Sequence, residues 1–223
     1  AAASSANAVI EGDDATTDAS TATVRLGNYT QISDKVARVT GTVDEVNKAG
    51  RGKELAYQVA KRVKELKRDM ESSLLANNAR VAGNDTTARE IAGVPAWLAT
   101  NTSAGSGGSD PTGDGTDART DGTQRAFTEA LLKDVLQSAA IEGGDPDTIM
   151  LGAFNKQAFS GFVGRATGGD EADAKDGTVY AGADVYVSDF GTLKVVFNRF
   201  QRPRDALVLQ KDMWKVAMLR PVK

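Results

Sequence analysis

Residues 41–75 read GTVDEVNKAGRGKELAYQVAKRVKELKRDMESSLL, and this stretch contains the clearest helical pattern of the chain. Its apolar residues recur at spacings of four, four, three, four and four, at Leu55, Val59, Val63, Leu66, Met70 and Leu74. That spacing places one apolar stripe along a helix, which we predict over residues 53–77. At 1.5 Å per residue this helix is roughly 37 Å long, nearly the width of a domain. We therefore expect it to act as a strut.

The chain before this helix is small and polar. Residues 1–25 cannot bury much surface alone, which predicts an extended arm or loop. Residues 24–39 carry β-formers at partly alternating positions and predict extended strands with little core of their own. Thr42 and Glu45 match the Ser/Thr-x-x-Glu capping box, which predicts a helical turn starting there.

After the helix, the sequence pattern changes from loop-like to mainly helical and then to strand-like. Residues 103–123 are rich in Gly, Ser, Asp and Thr and predict a long surface loop. Thr128 is the expected cap of a second helix, a short buried strand follows at 149–152, and a third helix is expected over 155–163. The last third contains β-rich segments that predict an antiparallel sheet, at residues 185–187, 193–200, 206–209 and 214–219. The fold class is therefore α+β.

Composition excludes several classes of function. The 27 basic and 30 acidic residues give a net charge of −3, which disfavours a DNA-binding protein. Cysteine and histidine are both absent, so disulfides, thiolate metal sites and His-based nucleophile pairs are excluded. No apolar run reaches the ~18 to 20 residues of a membrane span, and residues 1–14 do not resemble a secretory signal.

The clusters that carry chemistry elsewhere are weak in this sequence. Asp110, Asp114, Asp117 and Asp121 lie in a turn-rich loop, but they lack the ligand order of a calcium loop, so solvated turns are favoured over cation binding. Two glycine clusters, at residues 105–108 and 164–169, lack the Lys-Ser/Thr ending of a phosphate loop. The basic run at residues 61–68 is interleaved with acidic residues, as on a solvated helix face.

Carboxylate pairs and tryptophans give no active site either. Asp145 with Asp147, and Glu11 with Asp13, are the kind of pairs that arise by chance among 30 carboxylates. The two tryptophans, Trp97 and Trp214, are expected to anchor a core or an interface. We predict no catalytic, cofactor-binding or metal-binding residue and no enzymatic activity.

Several blocks of the sequence resemble one protein family. They are EGDDAT (11–16), NYTQI (28–32), the stretch 41–75, AREIAGVPAWL (88–98), LLKDVLQSAAIEGGDPDTIMLGAFNKQAFSGF (131–162) and DALVLQKDMWKVAMLRPVK (205–223). Together they resemble the major capsid proteins of tailed bacteriophages, over most of the chain. That resemblance implies the Hong Kong 97-type capsid fold, with an extended E-loop, a long spine helix (about 51–78), a peripheral domain and an axial domain.

The resemblance also implies a division of the chain. Residues 1–41 would form the E-loop, 42–126 the spine helix and part of the peripheral domain, and 127–178 part of the axial domain. Residues 179–223 would be the β-rich segments that complete the axial and peripheral domains.

The implied function is a shell subunit that self-assembles through hexamers and pentamers into an icosahedral head around double-stranded DNA. Its partners would be copies of itself, with decoration, scaffolding and portal proteins as further candidates, weak non-specific contact with DNA and no membrane. It would be located in the virion and assembled in the host cytoplasm. Two alternatives stay open: a nanocompartment shell of the same fold, and an extracellular binding or adhesion module.

Overall fold

The computed structural model describes residues 8–12, 14, 20, 22–46, 49–50, 52–162 and 184–221. Four α-helices lie within these residues: α1 (Gly41–Glu45), α2 (Glu54–Leu75), α3 (Glu129–Ile141) and α4 (Ala153–Ser160). Four strands form one sheet: β1 (Thr148–Leu151), β2 (Val185–Ser188), β3 (Gly191–Phe197) and β4 (Ala206–Leu209). Short 3-10 turns occur at Val94–Trp97 and Lys211–Met213. Mixed helix and sheet agree with the α+β class.

The sheet has the strand order β2-β3-β1-β4 and is mixed. β2 pairs antiparallel with β3, and β1 pairs antiparallel with β4, but β1 and β3 run parallel. The prediction of a wholly antiparallel sheet was therefore wrong. β1 and β3 can run parallel because the chain between them, which includes α4, is long enough for the crossover connection that a parallel pair requires. The β2–β3 hairpin follows the expected pattern, and β4 also pairs antiparallel, but with β1.

The main core lies between α3, α4 and one face of the sheet. Alternate residues of the strands point to this face and pack with the buried residues of the helices: Leu132, Leu136, Ile149, Leu151, Phe159, Tyr186, Leu193 and Val195. Phe159 meets the ring of Tyr186 edge to face at a centroid distance of 5.8 Å. The Tyr186 hydroxyl donates to Glu129 Oε1 at 3.3 Å, so its polar end is satisfied.

A second cluster covers the opposite face of the sheet at β1 and β4. Leu207 and Leu209 pack there against Leu75, the last residue of α2, with Trp214 and Phe200 beside them. Glu71 of the same helix accepts a 2.6 Å hydrogen bond from Asn198 Nδ2. The C-terminal end of the long helix is thereby fixed to the sheet.

Helix boundaries follow local capping chemistry. The Thr128 hydroxyl accepts from the Leu131 N–H and begins α3, as predicted. The expected capping box at Thr42 does not form, because α1 begins at Gly41 with Thr40 as its cap and no side-chain cap bond. Instead Glu45 forms a salt bridge with Lys53 at 2.9 Å, and Asp44 Oδ1 accepts from the Leu55 N–H at 3.1 Å. The two acidic residues of α1 thus cap and hold the start of α2.

Two segments predicted to be strands are not strands in the subunit. Residues 22–40 have no regular secondary structure, and neither do residues 214–221, where a β-segment over 214–219 was expected. A strand needs a neighbour for its backbone N–H and C=O groups, and the described residues supply none at either place. No helix among the described residues is long and apolar enough to cross a membrane.

Replacement of Phe159 by alanine should lower the free energy of unfolding of the unassembled subunit by about 3 to 5 kcal/mol, because its fully buried ring leaves a cavity in the main core. Phe154 lies on the same helix, but its side chain is 64% exposed, so Phe154→Ala should cost less than about 1 kcal/mol. Urea unfolding followed by circular dichroism measures both. Equal losses for the two variants would contradict this placement of α4.

Candidate subunit interface

The exposed apolar side chains of the subunit are not scattered evenly. Most of the large ones lie in three segments: the arm together with α1, the first half of α2, and the tail after β4. In these segments they are Val9, Ile10, Val24, Leu26, Tyr29, Ile32, Val36, Val43, Val46, Leu55, Tyr57, Val59, Met213, Val216, Met218 and Leu219. The others lie on α3, α4 and the sheet, at Ile141, Phe154, Val185, Val187, Phe190 and Phe197. Exposed apolar side chains grouped in this way are typical of an interaction site.

The apolar stripe of α2 is not fully buried anywhere along its length, whereas the neighbouring Leu75 at the C-terminal end of the helix is buried. Leu75 is 5% exposed, whereas Leu55 is 44% and Val59 is 46% exposed. Val63, Leu66, Met70 and Leu74, between these ends, are half-buried. The apolar stripe therefore continues beyond the surface that the described residues of this chain cover.

The second half of the arm is held on the subunit by polar contacts. Asn28 accepts from the Ala92 N–H at 3.0 Å and donates to the Ala92 carbonyl at 3.4 Å. Gln31 accepts from the Ile91 N–H at 3.4 Å, and Lys35 pairs with Asp69 on α2 at 2.7 Å. The apolar side chains of this stretch stay outside, at Val24, Leu26, Ile32 and Val36.

Arg80 adds a further contact to the arm. Its guanidinium donates to the Gly27 carbonyl and lies 5.7 Å from the centre of the Tyr29 ring. Exposed ion pairs and single hydrogen bonds contribute about 0 to 1.5 kcal/mol each. The arm is thus positioned by its polar side chains while its apolar side chains remain uncovered.

The acidic loop proposed as an alternative cation site is held by its own polar contacts. Asp110 pairs with Arg119 at 2.6 Å, and Asp117 accepts from the Thr112 N–H at 3.0 Å. Asp121 is paired with Arg202, and with Arg204 at 3.3 Å. Within the part of the chain that the structure describes, no three acidic residues come together as metal ligands. These carboxylates hold the loop together.

Asp114 is the carboxylate most affected by this arrangement. The Thr116 hydroxyl and N–H and the Thr112 hydroxyl all donate to its Oδ1, at 2.5, 2.9 and 2.8 Å. These hydrogen bonds lower the pKa of Asp114 from 3.8 to about 2. The charged form is therefore part of the folded loop.

An ionic clamp that the sequence analysis missed joins this loop to the turn before β4. Arg202 pairs with Asp121 and, at 2.8 Å, with Asp205, while Arg204 donates to the Gly122 carbonyl. Burial raises the pKa of Asp205, and the neighbouring Arg202 opposes that rise. The only sequence signal was the Arg202-Pro203-Arg204-Asp205 run, whose other acidic partner, Asp121, lies 81 residues from Arg202.

The first glycine cluster serves close backbone packing. A side chain at Gly105 would lie 2.1 Å from the Thr123 carbonyl oxygen, and one at Gly122 would lie 2.4 Å from the Gly105 carbonyl oxygen. The two sides of the loop meet here, next to the bridge between Ser109 and Thr120. The second cluster, at residues 164–169, lies outside the described residues.

The other candidates also have structural partners. In the basic run, Arg62 pairs with Glu65 at 2.6 Å. Asp147 accepts from the Lys211 N–H at 3.1 Å, whereas the side-chain amide of Gln210 accepts from the Asp145 N–H at 3.2 Å. Glu11 is exposed, and its expected partner Asp13 lies outside the described residues.

Both tryptophans contact the subunit itself. Trp97 lies against Gly115, where any side chain would come within 2.7 Å of its ring. Trp214 packs on the second cluster beside Leu75 and Leu209. These contacts agree with the expected role as anchors.

Comparison with known proteins identifies the family. The family model described as SU10 major capsid protein matches residues 1–223. This chain belongs to the SU10 major capsid protein family. The major capsid protein of Escherichia phage Phieco32 is 26% identical to this chain over an aligned length of 258 residues. The alignment covers 97% of this chain and 71% of that protein.

The family membership confirms the resemblance to phage major capsid proteins. This SU10-family chain is a structural protein of a phage capsid and a component of the virion. Major capsid proteins form homo-oligomeric shells. The uncovered arm, helix stripe and tail are the surfaces on this capsid subunit that such a shell can bury.

The depressed pKa of Asp114 gives a pH prediction for this loop. Because the folded-state pKa lies below 3.8, the carboxylate stabilises the fold fully above about pH 3.8, and this contribution is lost as the pH falls through about 2. A carbon-13 NMR titration of the unassembled subunit should give a midpoint near 2 for Asp114. The double variant Thr112→Val with Thr116→Val should move that midpoint back towards 3.8.

Thr120→Val, in the same loop, is the control and should leave the midpoint unchanged. An Asp114 midpoint near 3.8 in the unmodified subunit would show that the three hydrogen bonds do not form.

Proposed function

We propose that this capsid protein self-assembles through hexamers and pentamers into an icosahedral head that encloses double-stranded DNA. The observation that carries the proposal is the apolar stripe of α2, which is half-buried from Val63 to Leu74 and exposed at Leu55 and Val59. Covering such side chains contributes about 25 cal/mol per Å² of apolar surface. Repeated copies in a closed ring can supply that cover through one head-to-tail contact.

We further propose that the fold is of the Hong Kong 97 type, with the domain division given by the sequence. Residues 1–41 correspond to the E-loop, 42–126 to the spine helix and part of the peripheral domain, and 127–178 to part of the axial domain. Residues 179–223 complete the last two domains. The support is the order of elements: an arm anchored by polar contacts, a 22-residue helix, and then a sheet with helices on one face.

The arm suits a role between subunits. Asn28, Gln31 and Lys35 fix its course on the body of the subunit, so its apolar residues are presented at defined positions. A preorganised arm loses less conformational entropy when a neighbour covers it. Obligate assemblies bury about 2,000 to 5,000 Å² per interface, which several such segments together can reach.

The proposed contact with DNA is weak and non-specific. The net charge of −3 provides no strong positive field for phosphate groups. Assembly takes place in the host cytoplasm, and portal, scaffolding or decoration proteins are the further partners of such a shell. No catalytic chemistry is assigned to the subunit.

Charged residues at the start of the α2 stripe should block assembly. The variant Leu55→Asp with Val59→Asp should lower the yield of shells at least about tenfold, because about 1.4 kcal/mol per contact already changes an equilibrium tenfold. Electron microscopy and sedimentation of the full-length subunit measure the yield, and circular dichroism checks that the subunit still folds.

A matched control is the variant Lys61→Gln with Lys64→Gln, which changes the net charge by the same amount on the opposite, exposed side of the helix. It should assemble normally. Normal shells from the Leu55→Asp, Val59→Asp variant would refute a role of this stripe between subunits.

A further inference from the structure

The C-terminal tail carries a strand-like sequence that has no strand partner among the residues that the structure describes. Trp214 is packed on the second cluster, but the described residues after it are exposed. Val216, Met218 and Leu219 are each more than 60% exposed. Pro221 ends the segment, since it has no N–H for a sheet.

The sheet has an edge of matching length at β2. The Val195 N–H donates to the Asp184 carbonyl at 2.8 Å, and the register pairs Tyr186 with Leu193. In an antiparallel pair the hydrogen-bonded residues alternate, so Asp184, Tyr186 and Ser188 bond to β3. The backbone N–H and C=O groups of Val185 and Val187 therefore point away from β3, and no other described strand pairs with them.

The face of the sheet next to this edge is also open. The side chains of Val185 and Val187 are 50% and 55% exposed, on the face opposite to buried Tyr186. The second cluster covers that face at β1 and β4 but not at β2. An exposed edge with uncovered apolar side chains favours pairing with another strand.

The charges at the ends of the tail and the edge are complementary. In the tail, Lys215 and Arg220 flank the four residues 216–219; at the edge, Asp184 and Asp189 flank the four residues of β2. Because the charged residues are equally spaced in the two segments, antiparallel pairing places Lys215 against Asp189 and Arg220 against Asp184. Lys156 contacts Asp184 Oδ1 at 3.0 Å, but the Asp184 side chain is still 86% exposed.

We infer that residues 216–219 of one subunit add to the β2 edge of a neighbouring subunit as a fifth, antiparallel strand. Antiparallel pairing tolerates a face open to water, which is the situation at β2. In this register Ala217 lies opposite Val187 and Leu219 opposite Val185, all four on the open face. The inference rests on the proposed self-assembly and names one contact within it.

The contact must form between two copies, because the tail cannot reach its own β2. Trp214 packs beside Leu207 and Leu209 on β4, at the other end of the sheet. Three strand spacings separate β4 from β2, about 14 Å. The two residues from Trp214 to Val216 extend at most about 7 Å.

Engineered disulfides test the pairing, since this chain contains no cysteine. Shells of full-length subunits with Val187→Cys and Ala217→Cys are oxidised and then denatured without reductant. Paired antiparallel residues have Cα atoms about 5.5 Å apart, within the range that a disulfide spans. We expect a ladder of covalent oligomers on the gel.

The control variant combines Val187→Cys with Met218→Cys, which this register places on opposite faces of the sheet, and it should stay monomeric on the gel. If shells form but the first cysteine pair gives no ladder, or if only the second pair gives one, the inference is overturned. Neither result contradicts self-assembly. Absence of any shell from the unmodified protein instead refutes the proposed function. Electron microscopy before oxidation separates these two results.

Discussion

The long helix α2 has an apolar stripe that one subunit can cover only in part, and the remaining features of the molecule follow from this constraint. Leu75 enters the cluster beneath the sheet, while Leu55 and Val59 stand near the other end of the helix with about half of their surface in water. A helix of this length obtains most of its stability from the packing of its apolar face. The described residues of one subunit leave the start of this apolar face exposed.

The sheet provides the fixed end of this arrangement. Its two faces carry separate clusters, one beneath α3 and α4 and one beneath the end of α2. Asn198 and Glu71 tie α2 to the end of β3 by a hydrogen bond, and the Arg202–Asp121 clamp ties the acidic loop to the turn before β4. These contacts hold the base of the helix while the arm, the start of α2 and the tail extend from a packed core. A shell subunit needs both: a rigid body and uncovered segments.

Sequence periodicity predicted the elements that pack within one chain. The α2 stripe, the Thr128 cap and the strand at residues 206–209 all agree with the structure, because local propensity and burial point to the same result there. The parallel pairing of β1 with β3 was missed, since it depends on a crossover and not on local pattern. The ionic clamp was missed because Asp121 is distant in sequence from Arg202 and Arg204. Strand-like residues at 24–39 and 214–219 are without a strand partner, because the described residues provide no neighbouring strand for them.

Amide hydrogen exchange, compared between the unassembled subunit and assembled shells, measures whether neighbouring copies cover this surface. Residues 22–40 and the first turns of α2 should exchange much more slowly in shells, while β1, already buried in the core, should exchange slowly in both. Equal exchange of the arm and of α2 in the two states would contradict the claim that neighbouring copies complete this surface.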